Sequence, residues 1–181
     1  MSVKIKLAQP VPRAWISRAL CAVLRITVIY REDVIERLSM GSCLIACNHV
    51  SMLDGVIVAI ASPLPLVFLS ETHYSRRLWW SRLLFRCLSG LGYGRVLPLD
   101  SKSPFGMRQV LKLLERGERL VLFPEGGISV DGNPQDEQRG LAWIVARSGA
   151  PVLRVKIEGA HTSRIFAKRG TQWWPKIRLL F

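Results

Sequence analysis

The chain has 181 residues, 49% of them apolar and 22% charged, which fits one globular domain spanning 1–181 and excludes a disordered chain. Its 26 Lys and Arg against 13 Asp and Glu leave a net charge of +13, well above the magnitude of about 2–8 usual for a small domain. That surplus calls for an anionic counterpart: nucleic acid, anionic lipid or a phosphorylated substrate.

The N-terminus carries Lys4 and Lys6, but Pro10, Pro12 and Arg13 interrupt it before any long apolar stretch, so it does not read as a secretory signal. Within the N-terminal segment 1–25, residues 14–25 predict an amphipathic helix suited to a membrane surface. Trp15, Ile16, Ala19, Leu20, Val23 and Leu24 share one broad face, with Arg18 and Arg25 on the other. Residues 42–47, SCLIAC, predict a short buried strand. Cys43 and Cys47 in that run, with Cys21 and Cys87 elsewhere, form no CxxC pair, and the C-x3-C lacks the second half of a zinc site. Cys43 and Cys47 read as reduced core thiols, which favours a cytoplasmic setting and implies no metal. Ser51 to Ala61 predicts a helix, with Ser51 and Asp54 in a capping-box pattern. The uncharged run 55–70 contains Pro63 and Pro65 and falls short of the roughly 18–20 apolar residues of a spanning helix.

Leu66 to Leu69 predicts the next strand, followed by a helix over about 74–88. That helix mixes Trp79, Trp80 and Phe85 with Arg76, Arg77, Arg82 and Arg86, as a helix lying on an anionic membrane does. Val96 to Leu99 reads as a strand. Ser103-Pro104 marks a helix start, Met107, Val110, Leu111 and Leu114 repeat at helical spacing, and Gly117 stops the run. Arg119 to Phe123 predicts a strand, 131–136 a loop, 137–148 a helix ended by Gly149, and 151–157 a strand. The chain ends inside an apolar run, Lys176 to Phe181, read as a strand that the sequence leaves incomplete. Strands alternating with helices predict an α/β fold with a largely parallel central sheet flanked by helices.

Two polar clusters sit at the ends of predicted strands. SCLIAC runs into NHVSMLDG, with His49 at the strand end and Asp54 in the first turn of the next helix. Five residues inside one helix would set the two side chains about 140° apart, but a turn at Val50-Ser51 lets His49 fold back. A His held by a carboxylate has a fixed tautomer and one ring nitrogen left to take a proton. Asp54 as a mere capping acid is the plainer alternative. The strand RLVLF ends in Phe123-Pro124-Glu125-Gly126, and ligands in parallel sheets bind beyond the carboxyl ends of strands. The glycines there permit tight turns, and Glu125 at the exit of an apolar strand is hard to explain as core.

N-H-x4-D at 48–54 followed by F-P-E-G at 123–126 resembles the 1-acylglycerol-3-phosphate acyltransferase superfamily of glycerolipid and lysophospholipid acyltransferases. The resemblance covers about residues 24–181. NHVSMLDG, VLPLD and RSGAPVLRVKIEGA are most similar to the 2-acylglycerophosphoethanolamine acyltransferase domain of the bifunctional acyltransferase/acyl-ACP synthetase. It implies an α/β fold, a location at the membrane, an acyl-CoA or acyl-ACP co-substrate, and no bound cofactor. It also implies His49 and Asp54 as catalytic residues, with Asn48, Phe123, Pro124, Glu125 and Gly126 at the substrate and Arg139 near its phosphate. The sequence departs from the family at Leu99, where an Arg is usual, at Gly127-Ile128, where Thr-Arg is common, and at Arg154, where a Pro is usual. Arg95 or Lys102 could supply the missing cation.

The chemistry so implied moves a fatty acyl group to the free hydroxyl of a lysophospholipid, with His49 as base, Asp54 orienting it and backbone amides at 50–52 or 126–128 holding the oxyanion. The expected setting is peripheral, on the cytoplasmic face of the cell membrane, with an anionic lipid surface and no nucleic acid as partner. The alternatives are a non-catalytic basic module for membrane lipid or nucleic acid, for which no recognition motif stands out, and a thiol enzyme using Cys47.

Overall fold

The computed structural model describes residues 11–71, 86–100 and 103–181. Its helices and strands run α1 Val11–Val23, β1 Ile26–Ile29, α2 Val34–Ser39, β2 Cys43–Cys47, α3 Asp54–Ala61, β3 Leu66–Glu71 and β4 Gly94–Leu99. They continue with α4 Pro104–Glu115, β5 Arg119–Leu122, α5 Arg139–Ser148, β6 Val152–Glu158 and β7 Ile177–Leu180. Residues 86–90 are helical, and the rest of the basic-aromatic stretch 74–88 lies outside the described residues, as does Lys102.

The strands form one sheet in the order β1-β7-β6-β2-β5-β3-β4. All described neighbours are parallel except β6 and β7. The α/β fold with a largely parallel sheet is therefore as expected. β2 lies between β5 and β6 and is buried at every position, which explains why CLIAC carries no polar residue. Cys43, Ile45 and Cys47 point into one core with α2 and α3, and Leu44 and Ala46 into a second core with α4 and α5.

α3 is apolar all round because α1 covers its outer side. That contact redraws the predicted face of α1. Ile16, Leu20, Cys21 and Leu24 pack toward the core, but Arg13 and Ser17 are the buried positions, while Trp15, Ala19 and Val23 face outward. Arg13 Nη2 donates to the carbonyl of Ser62, the C-cap of α3, at 3.1 Å, and its guanidinium stacks 4.8 Å from the Tyr93 ring. Tyr93 hydroxyl lies 2.9 Å from Ser17 Oγ. Burial holds the Arg13 pKa below its ordinary value.

Two elements, β1 and α2, are additional to those read from the sequence. β1 has four residues, and its hydrogen-bonding partner β7 lies about 150 positions on, so no local signal announces it. Ser103 caps α4 as predicted, its Oγ accepting from Phe105 N–H at 3.2 Å. α5 begins at Arg139, two residues after the expected start, because Glu137 instead forms a forked ion pair with Arg154.

Candidate active site

The described parallel strands β2, β5 and β6 end on the same side of the sheet, and the two sequence clusters follow β2 and β5 there. Past Cys47 the ladder continues through a side chain. Asn48 Nδ2 donates to the Ile157 carbonyl at 2.9 Å, and Ile157 N–H donates to Asn48 Oδ1 at 2.7 Å. Both ends of the Asn48 amide are thus occupied by β6. With those bonds Asn48 fixes where β2 stops and the turn begins.

The turn 49–53 brings His49 back onto the start of α3. His49 Nδ1 lies 2.9 Å from Asp54 Oδ2, and the same oxygen accepts the N–H groups of Val50 at 2.6 Å and Ser51 at 2.8 Å. Asp54 is fully buried, while the His49 side chain keeps 23% of its surface exposed. α3 begins at Asp54, not at Ser51 as the capping-box pattern suggested. Ser51 Oγ accepts from Leu53 N–H, and Asp54 answers the Ser51 N–H, so only one half of the box forms. A carboxylate that accepts from two backbone amides is rigid, and it receives Nδ1–H in the neutral ring. Nε2 then carries the lone pair, and no described residue hydrogen-bonds it.

Phe123 stacks on the imidazole, with ring centroids 4.4 Å apart and planes at 27°. The Glu125 carboxylate lies by the His49 backbone amide, and the Ser129 N–H donates to the His49 carbonyl at 2.7 Å. Burial raises the Glu125 pKa above its ordinary value, and the amides of His49 and Gln135 oppose that rise. Its Oε2 is buried with no hydrogen-bond partner among the described residues. Pro124 is buried, and its carbonyl accepts from Gln138 N–H at 2.8 Å. Gly126 turns with φ +73°, which favours glycine, and its bare Cα lets the Gln138 side-chain amide lie against it, 1.8 Å from where a Cβ would stand. Arg139 stands exposed in the first turn of α5, next to Gln138.

Two sequence expectations are corrected. Arg95 lies at the amino end of β4 and pairs with Glu118, which precedes β5, so it sits at the opposite end of the sheet from His49. The amides of 50–53 are all engaged: Val50 and Ser51 with Asp54, Met52 with the Phe166 carbonyl at 2.8 Å, and Leu53 with Ser51 Oγ. That turn therefore offers no oxyanion donors. Arg154, at the position where the family has Pro, is paired with Glu137. Ser129, Gln138 and the 163–168 segment bear on the site without having been read from the sequence. Ser129 could have been suspected from Ser129-x-Asp131-x-Asn133, since its Oγ lies 3.1 Å from Asp131 Oδ1 and accepts the Gly132 N–H.

Comparison with known proteins accords with this geometry. The family model described as Acyltransferase matches residues 25–158, which include both motifs. The chain belongs to the acyltransferase family. It is 25% identical over 145 residues to the 1-acyl-sn-glycerol-3-phosphate acyltransferase BAT2, chloroplastic, of Brassica napus, covering 77% of this chain and 41% of that protein. Its fold is similar to the crystal structure of the 1-acyl-sn-glycerophosphate acyltransferase PlsC from Thermotoga maritima, with a TM-score of 0.62 and 18% identity over 93% of this chain. The chain spans 65% of that PlsC and less than half of the plant relative.

Cys47 lies beneath the same carboxylates. Burial, then the charges of Asp54 and Glu125, push its thiol pKa well above the ordinary value, so it stays a thiol and is a poor nucleophile. Cys43 is likewise pushed up to about 11 by burial. Brief alkylation of the native protein near pH 7.5 should therefore modify exposed Cys87 and leave Cys43 and Cys47 intact by peptide mass mapping. Cys47→Ala should keep catalytic turnover within about threefold, whereas loss of turnover with labelling of Cys47 would restore the thiol-enzyme alternative.

Proposed function

We propose that this family member is a glycerolipid O-acyltransferase that moves a fatty acyl group from acyl-CoA or acyl-ACP to the free hydroxyl of a lysophospholipid. The observation that carries the reading is the His49 Nδ1–Asp54 Oδ2 contact of 2.9 Å, set in a turn at the carboxyl end of β2 and braced by Phe123 and Glu125. Nε2 of His49 takes the proton of the acceptor hydroxyl while its oxygen attacks the thioester carbonyl carbon. The carbon–sulfur bond then breaks, and the thiolate recovers the proton from the imidazolium that Asp54 has stabilised. The amides of Gly127 and Ile128 have no partner among the described residues and suit the oxyanion. Glu125 Oε2 and the exposed Arg139 are the groups proposed to meet the polar part of the acceptor, Arg139 its phosphate.

BAT2 is named for 1-acyl-sn-glycerol-3-phosphate, which makes a lysophosphatidate the first acceptor to try, ahead of ethanolamine and glycerol lysolipids. The four unpaired cysteines support a reducing, cytoplasmic face of the membrane as the working surface. The test supplies labelled acyl-CoA and acyl-ACP with each lysolipid in mixed micelles. Label should enter a diacyl product with one donor class and depend on the acceptor. Thioester hydrolysis indifferent to acceptor, or no transfer in any pairing, would count against the reading.

A further inference from the structure

The link between β6 and β7 starts and ends at the same end of the sheet as His49, since β6 is parallel to β2 and β7 runs antiparallel to β6. It is folded tightly onto itself. Arg164 N–H donates to the Gln172 carbonyl and Gln172 N–H to the Thr162 carbonyl, each at 2.8 Å, and a Cβ on Gly170 would fall 2.0 Å from the Ser163 carbonyl oxygen. It is also tied to the site. The Phe166 carbonyl accepts from Met52 N–H at 2.8 Å, and Lys168 Nζ donates to the Ile128 carbonyl at 2.6 Å. Its other end reaches α1, where Trp174 Nε1 donates to the Val23 carbonyl at 2.9 Å and the Trp174 carbonyl accepts from Arg25 Nη1 at 3.0 Å.

This rigid rim holds large apolar side chains in water. Trp173 is 67% exposed, Trp174 59% and Ile165 55%, and Val23 beside them is exposed as well. Between 159 and 176 the chain carries Arg164, Lys168, Arg169 and Lys176 and no Asp or Glu. The Arg164 guanidinium lies 4.6 Å from the Trp173 ring centroid. Tryptophans interleaved with cations and free of carboxylates match a lipid interface, where the ring sits at headgroup depth and the cations meet phosphates.

We infer that the 159–176 rim, with the C-terminal end of α1, docks on an anionic lipid surface and so presents the opening at His49 to it. The inference rests on the acyltransferase reading only for what that orientation serves, and lipid docking is measured without turnover. The occupant is an anionic bilayer, because exposed Trp173, Trp174 and Ile165 call for an apolar phase directly beside the anionic groups that the cations meet, and a lipid interface supplies both.

The test is co-sedimentation with vesicles of phosphatidylcholine, with and without phosphatidylglycerol. The wild-type protein should bind the anionic vesicles more strongly and release them as salt is raised. Trp173→Ala, whose ring makes no hydrogen bond to a described residue, should weaken that partition about tenfold, and Arg169→Glu at least about fivefold. Trp143→Ala removes another exposed tryptophan from α5, across the sheet from α1, and should change nothing. Circular dichroism melts confirm that each variant is folded. Trp173→Ala should also lower turnover on lysolipid presented in vesicles and spare turnover on the same lysolipid as dispersed monomers. Unchanged vesicle binding by folded Trp173→Ala and Arg169→Glu proteins would overturn the inference, as would equal loss with Trp143→Ala, or equal binding to neutral vesicles. Vesicle binding that follows this pattern in a protein with no transfer activity would sustain the rim and remove the acyltransferase reading alone.

Discussion

Replacing His49 with Ala should lower acyl transfer by about 10³-fold, the scale of losing a positioned general base, while the protein still folds. The loss should fall on kcat, because the ring's work lies in the proton transfer and not in holding either substrate. Stability is expected to survive for a structural reason. Asp54 Oδ2 keeps its two backbone donors, Val50 and Ser51, when the imidazole is gone, so no buried charge is stranded. What disappears is the stacking on Phe123, worth about 1 kcal/mol, and one hydrogen bond from a partly exposed side chain. For a chain of this length that is a shift of roughly 2–6 °C in Tm. Steady-state transfer and a thermal melt on the same sample check both halves. Turnover like that of the wild type would eliminate His49 as the base and with it the mechanism.

The site was legible from the sequence where local signals set it. The apolar runs into His49 and Phe123 fix two strand ends, and parallel pairing of β2 with β5 places those ends side by side. That pairing is what turns a common H-x4-D spacing into a contact. What the sequence hid was the destination of each hydrogen bond. The amides of 50–53 look available in a list of residues, yet Asp54, Ser51 and Phe166 consume them, and Phe166 lies more than a hundred positions away. Arg95 looked close to the site because it is near Leu99 in sequence, but a strand of six residues separates the two ends of the sheet by about 17–20 Å. Asn48 reads as a polar group at a pocket until β6 is placed next to it. β1 and α2 went unread because their stability comes from β7 and from the core beneath Val34 and Leu38, neither of which leaves a periodic trace in so few residues.

Asp54→Asn should separate the two partners, because it is expected to damage folding and chemistry together. The side chain is fully buried, and Oδ2 takes three hydrogen bonds while Oδ1 has no partner among the described residues. An Asn can keep its carbonyl oxygen toward Val50, Ser51 and His49 only by placing its NH2 where Oδ1 stood, leaving a buried donor unsatisfied at about 1–3 kcal/mol. The opposite orientation turns NH2 toward two N–H donors and is worse. The charge is lost in either case, and bonds to a carboxylate are about twice as strong as neutral ones. A destabilisation of about 3 kcal/mol, or roughly 6–12 °C in Tm, is expected. Transfer should fall by about 10²–10⁴, because the imidazolium formed at the moment of attack has no counter-charge even when the ring is still oriented. The comparison with His49→Ala decides what Asp54 is for. A folded, cooler-melting Asp54→Asn protein with full turnover would reduce Asp54 to the acid that starts α3. Loss of turnover in both variants, with the large Tm shift confined to Asp54→Asn, is the signature of a base and the carboxylate that holds it.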